Sequence, residues 1–419
     1  MLRSILVTLI IAVFSFSAYA GETQSAPSEI KIGTLYASSG TFASISMPVY
    51  HGLKLWVERE NAQGGVFVKP YGKRIPIKLI AYDDQSNPGT ATTLYNQLVT
   101  RNKVDILTSD SGSVLTAPAV TIAHEHKVFL FDQTGTGLSF FSADNPYIAL
   151  ISDPTSSAWP KYVAAFLTDE GPKLGIKRIA LLYSTNDFTG EQAKWFTKMI
   201  DGAHAGLDIV YNRGVPTSTS NYAVLIRTIE ASHPDAVLEM GYPDNDISFL
   251  RDLQSSGTHL KWLFTFYPGL ETPLLLKTVG VSGLQYGYTY MPASLIKYKV
   301  NVGMTLPEFH DAWKKAYPDH MEEFGFNAVA GYNTGLVIQR ALAVTKGMSQ
   351  FDLHDAVFSL SGKLKTIDGS FVLDKIGAQI GDLMPLAQMV PNGKGGLKFN
   401  VVYPLDVADA KPVYPAPVK

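Results

Sequence analysis

Short apolar strand patterns alternate with amphipathic helix patterns along most of this chain, and this alternation restricts the fold more than any other feature. In a first series, strand patterns occupy residues 30–35, 75–81, 104–108 and 128–131, and helix patterns occupy residues 49–57, 88–101 and 116–126. In a second series, strands lie at residues 178–183, 207–213, 236–240 and 262–266, with helices at residues 156–169, 190–203, 221–232 and 245–255. Such alternation predicts parallel sheets covered by helices on both faces. We therefore expect an α/β fold of two doubly wound parallel-sheet lobes.

The C-terminal third is less regular than the two series. Residues 327–345 show a long apolar helix face, and the turn residues Asp368-Gly369 and Asn392-Gly393 predict two hairpins. Prolines accumulate beyond residue 400, which favours an extended tail over the surface. No internal sequence repeat accompanies the two series, so the prediction of two lobes depends on the order of elements alone.

The N-terminus has the pattern of a secretory signal peptide. Within residues 1–20 the only charged side chain is Arg3, an apolar run covers residues 5–16, and small residues occupy Ala18 and Ala20. The run is short for a membrane span, so we predict export with cleavage after Ala20. The chain contains no cysteine, which excludes a lipid anchor at the cleavage site, disulfides and thiolate metal sites.

Several classes of function are disfavoured by composition and motifs. Lysine and arginine number 35 against 37 acidic residues, a balance that argues against nucleic-acid binding. The chain lacks a nucleophile elbow, a phosphate-binding loop and a zinc-protease motif, so we predict a non-enzyme with no cofactor and no metal. His124-Glu125-His126 is interpreted as a solvated helix end rather than a metal site. Asp83-Asp84 is interpreted as part of a loop that caps the helix beginning at Pro88.

Hydroxyl and aromatic side chains are concentrated where the predicted strands end. The loops after these strands contain Ser109, Ser111, Ser113, Thr134, Thr136, Phe188, Tyr242, Phe266 and Tyr267. Ligands of open α/β sheets bind outside the carboxyl ends of the strands. Free N–H groups at a helix start near Ser113, with hydroxyls beside them, suit a carboxylate. Because these loops contain few charges, we expect reversible binding rather than bond breaking.

The order of motifs resembles the periplasmic solute-binding proteins of the leucine/isoleucine/valine-binding type, the type I family. The matching segments are Ile32-Gly33-Thr34-Leu35, Ser39-Gly40-Thr41-Phe42, Gly52-Leu53-Lys54-Leu55, residues 61–66, residues 82–88, Gly241-Tyr242 and Leu250-Arg251. The resemblance implies two lobes joined by a three-segment hinge, with lobe 1 at residues 29–150 and 290–367, lobe 2 at residues 151–289 and 368–400, and a tail at residues 401–419. It also implies a periplasmic monomer that delivers a small molecule to ABC permease subunits in the inner membrane.

The resemblance extends to ligand-binding positions. Ser113 falls at the family's carboxylate-binding serine, Thr134 and Thr136 match groups that hold the same end of the ligand, and Phe188 and Tyr242 match aromatic positions of the second lobe. The family's amino-acid binders have an acidic residue that pairs with the ligand ammonium. Phe266 occupies that position here. An ammonium buried without a counter-charge costs several kcal/mol, so an ordinary amino acid requires another acid.

Two readings of the ligand follow. If Phe42, Phe188, Tyr242, Phe266 and Tyr267 converge, they form an aromatic slot for an uncharged body, and Ser113 with Ser111 orients a carboxylate. We therefore predict a small carboxylate with an aromatic or apolar body. The alternative is an amino acid or small amide, with Asp187, Asp244 or Glu239 as the relocated counter-charge. A ligand sensor of a periplasmic signalling system is a further alternative, and a secreted hydrolase is the least favoured.

Overall fold

A computed structural model describes residues 25–292, 299–381 and 384–418. The predicted signal peptide lies outside these residues. Sixteen strands are described: β1 Ile30–Tyr36, β2 Val66–Val68, β3 Lys73–Ile75, β4 Ile77–Asp83, β5 Ile106–Thr108, β6 Leu130–Asp132, β7 Ile148–Leu150, β8 Arg178–Ser184, β9 Asp208–Val215, β10 Ala236–Met240, β11 Leu263–Thr265, β12 Tyr288–Tyr290, β13 Leu364–Lys365, β14 Ser370–Phe371, β15 Leu386–Pro391 and β16 Leu397–Tyr403.

Thirteen α-helices are described in the same residues. They are α1 Ala43–Asn61, α2 Pro88–Gln97, α3 Ser113–His126, α4 Lys161–Asp169, α5 Gly171–Leu174, α6 Thr189–Ala203, α7 Ala223–Ala231, α8 Pro243–Ser256, α9 Thr272–Thr278, α10 Gly280–Leu284, α11 Leu306–Ala316, α12 Phe326–Val344 and α13 Gln350–Ser359. The predicted apolar face of α1, which includes Leu53 and Trp56, is buried. A short π-helical turn, Leu98–Asn102, follows α2.

Two sheets form the centres of two lobes, which confirms the predicted α/β class. The first sheet is parallel and has the order β4-β1-β5-β6-β7. The second sheet has the order β16-β15-β12-β11-β10-β8-β9. The five strands β12, β11, β10, β8 and β9 are parallel to one another, whereas β15 and β16 form an antiparallel edge. The turn at Asn392-Gly393 joins these edge strands, as predicted.

The chain passes between the lobes after β7, after β12 and after β14. The first and third crossings contact each other through Gln379, whose backbone carbonyl accepts a hydrogen bond from Thr155 N at 3.2 Å. Asn333 on α12 adds a link, because its Nδ2 donates to Ser152 Oγ at 3.0 Å and to Asp368 Oδ2 at 2.9 Å. The first and third crossings are therefore joined by hydrogen bonds between the two lobes.

Three predicted boundaries differ from the structure. The predicted strand at residues 75–81 is divided, because Pro76 has no N–H to donate and separates β3 from β4. The start of the predicted second lobe at residue 368 is too early, since β14 pairs with β13 and Phe371 packs in the core of the first lobe. The predicted tail begins at residue 401, yet β16 continues to Tyr403.

Candidate functional site

The start of α3 is a group of backbone N–H groups at the edge of the first lobe. The helix begins at Ser113, three residues before its predicted start, and its first turn contains no acidic side chain. Gly112 precedes it with φ of 78°, the left-handed region that glycine favours. A Cβ at this position would lie 3.2 Å from Tyr242 Oη, so glycine also leaves room for that hydroxyl.

Hydroxyl groups of the neighbouring loop surround this helix start. Gly112 N donates a hydrogen bond to Thr134 Oγ1 at 2.9 Å, and Ser111 Oγ lies 3.2 Å from the same oxygen. Thr136 N donates to Ser113 Oγ at 3.1 Å. The four predicted polar residues Ser111, Ser113, Thr134 and Thr136 are thus brought together, and all are buried.

The five predicted aromatic side chains form a continuous chain of ring contacts. Ring centroids lie 5.1 Å apart for Phe42 and Tyr242, 5.5 Å for Tyr242 and Phe188, 5.0 Å for Phe188 and Phe266, and 5.1 Å for Phe266 and Tyr267. None is more than 6% exposed. Phe42 belongs to the first lobe and the other four to the second, so this chain of rings crosses the cleft.

Tyr242 connects the rings to the polar group. Burial raises the pKa of its hydroxyl, while the N–H groups of Ser113 and Val114 oppose that rise. The hydroxyl therefore faces the start of α3 from across the cleft. This geometry places an uncharged hydrogen-bonding group of the second lobe beside the N–H groups of the first.

Trp159 is an aromatic residue of the site that the sequence did not single out. Its ring lies 5.0 Å from Phe266, 5.7 Å from Phe188 and 6.2 Å from Phe326 at the start of α12. It was placed inside a predicted helix at residues 156–169, but α4 begins only at Lys161. Its position depends on the first crossing between the lobes, which periodicity does not encode.

The three acids considered as counter-charges do not share one environment. Asp187 and Asp244 are exposed, whereas Glu239 is buried in β10. Burial raises the pKa of Glu239, and the neighbouring Asp246 carboxyl raises it further. Asp246 Oδ2 in turn accepts a hydrogen bond from Tyr267 N at 2.6 Å. Glu239 and Asp246 thus form a buried carboxyl pair behind the Tyr267 loop.

Asp153 is a buried acid that sequence reasoning missed. It lies in the first crossing with φ of 59°, is 5% exposed, and its Oδ1 has no hydrogen-bond partner among the described residues. Burial raises its pKa well above the usual range, and the carboxyls of Asp368 and Asp132 add to this effect. The Asp153 carboxyl also raises the pKa of the Tyr242 and Tyr267 hydroxyls.

Lysine and arginine are absent from the buried part of the described structure. A bound anion would therefore depend on N–H and hydroxyl donors. Within residues 25–292, 299–381 and 384–418, no group of three or more histidine, aspartate or glutamate side chains is arranged to hold a metal ion.

Two sequence motifs that we did not assign to a functional site have the structural roles predicted for them. His124, Glu125 and His126 are exposed at the end of α3, as expected for a solvated helix end. Asn87 caps α2, because its Oδ1 accepts a hydrogen bond from Thr90 N at 3.0 Å. The loop after β4 therefore has the predicted capping role.

Comparison with known proteins identifies the architecture. Residues 29–394 match the periplasmic binding protein family. The chain belongs to this family. Its members are substrate-binding proteins of ABC transporters and not enzymes. A curated relative of this binding protein, Leu/Ile/Val-binding protein homolog 7 of Brucella suis biovar 1 (strain 1330), is 25% identical over 352 residues, which cover 82% of this chain and 84% of the relative.

Solved structures share the fold of this binding protein at low identity. The branched-chain amino acid transporter substrate-binding protein LivJ from Streptococcus pneumoniae str. Canada MDR_19A, in complex with isoleucine, aligns with a TM-score of 0.73 and 19% identity over 90% of this chain and 100% of that one. A solute-binding protein from Rhodopseudomonas palustris BisB5, in complex with 3,4-dihydroxybenzoic acid, aligns with a TM-score of 0.71 and 20% identity over 90% and 96%. These likenesses establish the fold alone.

The family is periplasmic, in agreement with the predicted export of this binding protein. Cleavage after Ala20 stays a prediction, because residues 1–24 are not described. Within the described residues, no helix combines the length and apolar character needed to cross a membrane.

Proposed function

We propose that this binding protein captures a small carboxylate with an uncharged, aromatic or apolar body and delivers it to ABC permease subunits in the inner membrane. The observation that supports this proposal most is the convergence of rings from both lobes beside the start of α3. We expect the protein to act as a monomer whose lobes close around the ligand, because a ligand that bridges two lobes binds the closed state better than the open one.

The carboxylate end of the ligand is assigned to the start of α3. The N–H groups of its first turn, the hydroxyls of Ser111, Ser113, Thr134 and Thr136, and the facing Tyr242 hydroxyl are uncharged groups that can donate hydrogen bonds. A helix N-terminus favours an anion through its dipole and its unpaired N–H groups. Since no lysine or arginine is buried among the described residues, these donors would replace an ion pair.

The body of the ligand is assigned to the rings. The second-lobe position where the resemblance predicts an acid is Phe266, which contacts Trp159, Phe188 and Tyr267. A ring that buries about 150–200 Å² of apolar surface here would gain roughly 4–5 kcal/mol from transfer out of water. The 3,4-dihydroxybenzoic acid bound in the Rhodopseudomonas palustris BisB5 protein has the same combination of ring and carboxylate.

A zwitterionic amino acid is the second candidate, and Asp153 is the observation that favours it. Its buried carboxyl has an oxygen without a partner among the described residues, and such an oxygen suits an ammonium. The isoleucine in the LivJ complex is such a ligand. In this case Asp153→Asn would abolish amino-acid binding, whereas binding of an aromatic acid would survive the change.

A thermal-shift panel separates these candidates. The panel contains benzoate, 4-hydroxybenzoate, benzamide, leucine, phenylalanine and an aliphatic acid, each at several concentrations. A ligand at a hundred times its Kd stabilises the protein by about 2.7 kcal/mol. We expect the aromatic acids to raise Tm and benzamide to have little effect. A shift with leucine and phenylalanine alone would reject the aromatic-acid proposal.

Substitution of Ser113 tests the carboxylate end. Ser113→Asp places a negative charge at the start of α3 and should abolish binding of an aromatic acid by repulsion. Ser113→Ala removes a hydroxyl without adding charge and should weaken binding less, which guards against a folding defect in the first variant. Ser139→Asp, at an exposed position, is the charge-matched control. Unchanged affinity in Ser113→Asp would remove this residue from the site.

A further inference from the structure

The N-terminus of α12 lacks a cap from its own residues. The residue before the helix is Gly325, which has no side chain to accept a hydrogen bond, and the first turn contains no acidic residue. The first N–H groups of a helix have no partner within the helix. Partners for these groups must therefore come from elsewhere in the molecule.

The second lobe supplies these partners. Phe326 N donates to the backbone carbonyl of Leu270 at 2.9 Å. Asn327 donates to Glu271 Oε1 from its backbone N at 3.2 Å and from its Nδ2 at 2.7 Å. Leu270 and Glu271 follow β11 in the second lobe, whereas α12 packs in the first. The Glu271 side chain is 1% exposed, so the contact is sealed from solvent.

Gly325 provides the space for this contact. Its backbone is extended, with φ of −169°, so the conformation does not require glycine. A Cβ there would, however, lie 2.6 Å from Glu271 Oε2 and 2.6 Å from the carbonyl oxygen of Leu270. A larger residue at position 325 would push the second-lobe loop away from the helix.

The contact also determines where Phe326 lies. Phe326 is the first residue of α12, and its ring faces Trp159 of the second lobe at 6.2 Å. The Phe326 N–H binds the Leu270 carbonyl, so the backbone and the ring of this residue both contact the second lobe. Glu271 binds Asn327, the residue next to Phe326 in the first turn of α12, so a displacement of Glu271 would also move the Phe326 ring.

We propose that Glu271 is a positioning residue for ligand capture, which clasps the start of α12 across the cleft and thereby sets Phe326 against the rings of the site. This inference rests on the proposed function. In the open protein the clasp would be released, and the α12 N–H groups would be returned to water. The clasp would therefore favour closure and slow the escape of the ligand.

An uncharged side chain at position 271 is sufficient for the clasp, because its carbonyl oxygen can still accept the hydrogen bonds from Asn327. Burial raises the pKa of Glu271 to about 8, against the opposing effect of the Asn327 donors, and the nearby Glu323 carboxyl adds to the rise. Nearby titratable groups include Tyr267 on the same loop and the exposed Lys277–Glu322 ion pair between the lobes. Glu323 itself is paired with His51 and His320. A glutamine, which keeps the carbonyl oxygen, should therefore replace Glu271 with little loss.

The test compares Glu271→Ala with Glu271→Gln. Lys277→Ala serves as a control, because Lys277 also contacts the other lobe through Glu322. With 4-hydroxybenzoate as the probe, we expect Glu271→Ala to raise the dissociation rate at least tenfold, Glu271→Gln to stay within threefold of wild type, and Lys277→Ala within twofold. Exposed ion pairs such as Lys277–Glu322 contribute little, which justifies the control. An unchanged dissociation rate in Glu271→Ala would overturn the proposal.

Ligand-free measurements keep this test separate from the proposed function. Spin labels on the two lobes report their separation, and amide hydrogen exchange reports protection of Phe326 and Asn327. The clasp should hold a share of the ligand-free molecules in the closed form. We expect Glu271→Ala to lower this share, and therefore to widen the mean separation and to speed exchange at both amides at least tenfold, with rescue by glutamine. If 4-hydroxybenzoate does not bind, the proposed ligand fails, and these two readouts alone decide the clasp. Wild-type separation and exchange in Glu271→Ala would reject it.

Discussion

Tyr242 is the residue at which the two halves of the site meet, because its ring joins the aromatic chain and its hydroxyl faces the start of α3. Tyr242→Phe keeps the ring and removes the hydroxyl. A hydrogen bond to a charged group contributes about 1.5–3 kcal/mol, so we expect affinity for an aromatic acid to fall by a factor of about 10 to about 150. Isothermal titration calorimetry measures this change.

Tyr222→Phe is the matched control for this prediction. Tyr222 is also a buried tyrosine of the second lobe, but it packs against Phe249 rather than against the chain of rings. Its loss of a hydroxyl should leave ligand affinity within about twofold of wild type. Equal losses in the two variants would show that the Tyr242 hydroxyl has no direct role at the ligand.

The candidate residues were predictable to the extent that they follow strands. Ser113, Thr134 and Phe188 come after strands of parallel sheets, whose carboxyl ends lie at one edge, so their approach could be expected from the sequence. Asp153 and Glu271 could not be found in this way. Asp153 lies in a crossing between the lobes and Glu271 binds a helix of the other lobe, and no local sequence pattern records either position.

At the scale of elements, α1 and α12 cross closely through glycines. A Cβ on Gly331 would lie 1.9 Å from the backbone oxygen of Val49, and one on Gly52 would lie 2.1 Å from that of Ala328. Backbone cannot move away as a flexible side chain can. Gly331→Ala should therefore reduce the free energy of unfolding by at least about 2 kcal/mol, as overpacking does elsewhere. Urea unfolding followed by circular dichroism checks this value.

Gly202→Ala on α6 is the control for the helix crossing. No atom lies within 4 Å of the added Cβ there, so the substitution meets open space. Alanine is favoured over glycine in a helix by up to about 1 kcal/mol, and we expect stability to stay constant or to rise. A similar loss in both variants would show that close packing is not the reason for glycine at position 331.

The alternation of strands and helices determined most of the element order, but not the elements outside it. β7 has three residues and α11 and α13 follow the second crossing, where no strand–helix alternation remains to guide prediction. Pro76 also shows that one residue can divide a continuous apolar pattern. The turn between β15 and β16 was predicted from Asn392-Gly393. The pairing of β15 with β12, which adds this hairpin to the second sheet, was not predicted.

At the scale of the whole molecule, buried carboxyls make stability depend on pH. Burial raises the pKa of Asp132, Asp246 and Asp368 to about 7. The folded protein therefore binds more protons than the unfolded chain between pH 4 and 7. Each such group contributes stability that is complete at acidic pH and is lost as pH rises through about 7, by up to about 1.4 kcal/mol per pH unit.

We expect Tm to be higher at pH 5.5 than at pH 8, as measured by calorimetry. Asp132→Asn should flatten this dependence, since an amide oxygen can still accept the hydrogen bonds from Ser109 Oγ and Gly135 N. A Tm that increases from pH 5.5 to pH 8 in the wild type would contradict the prediction. An unchanged slope in the variant would assign the effect to other carboxyls.

The proline-rich tail after β16 is fastened to the second lobe. Val413 N donates to Gln388 Oε1 at 2.8 Å, and Ala416 N donates to the carbonyl of Lys261 at 2.8 Å. A fluorophore on the exposed Lys411 would consequently travel with the second lobe, and its partner on the exposed Glu58 of α1 would travel with the first. Energy transfer between these dyes would report a change in the distance between the lobes as a change in fluorescence, so the protein is suited to use as an optical biosensor.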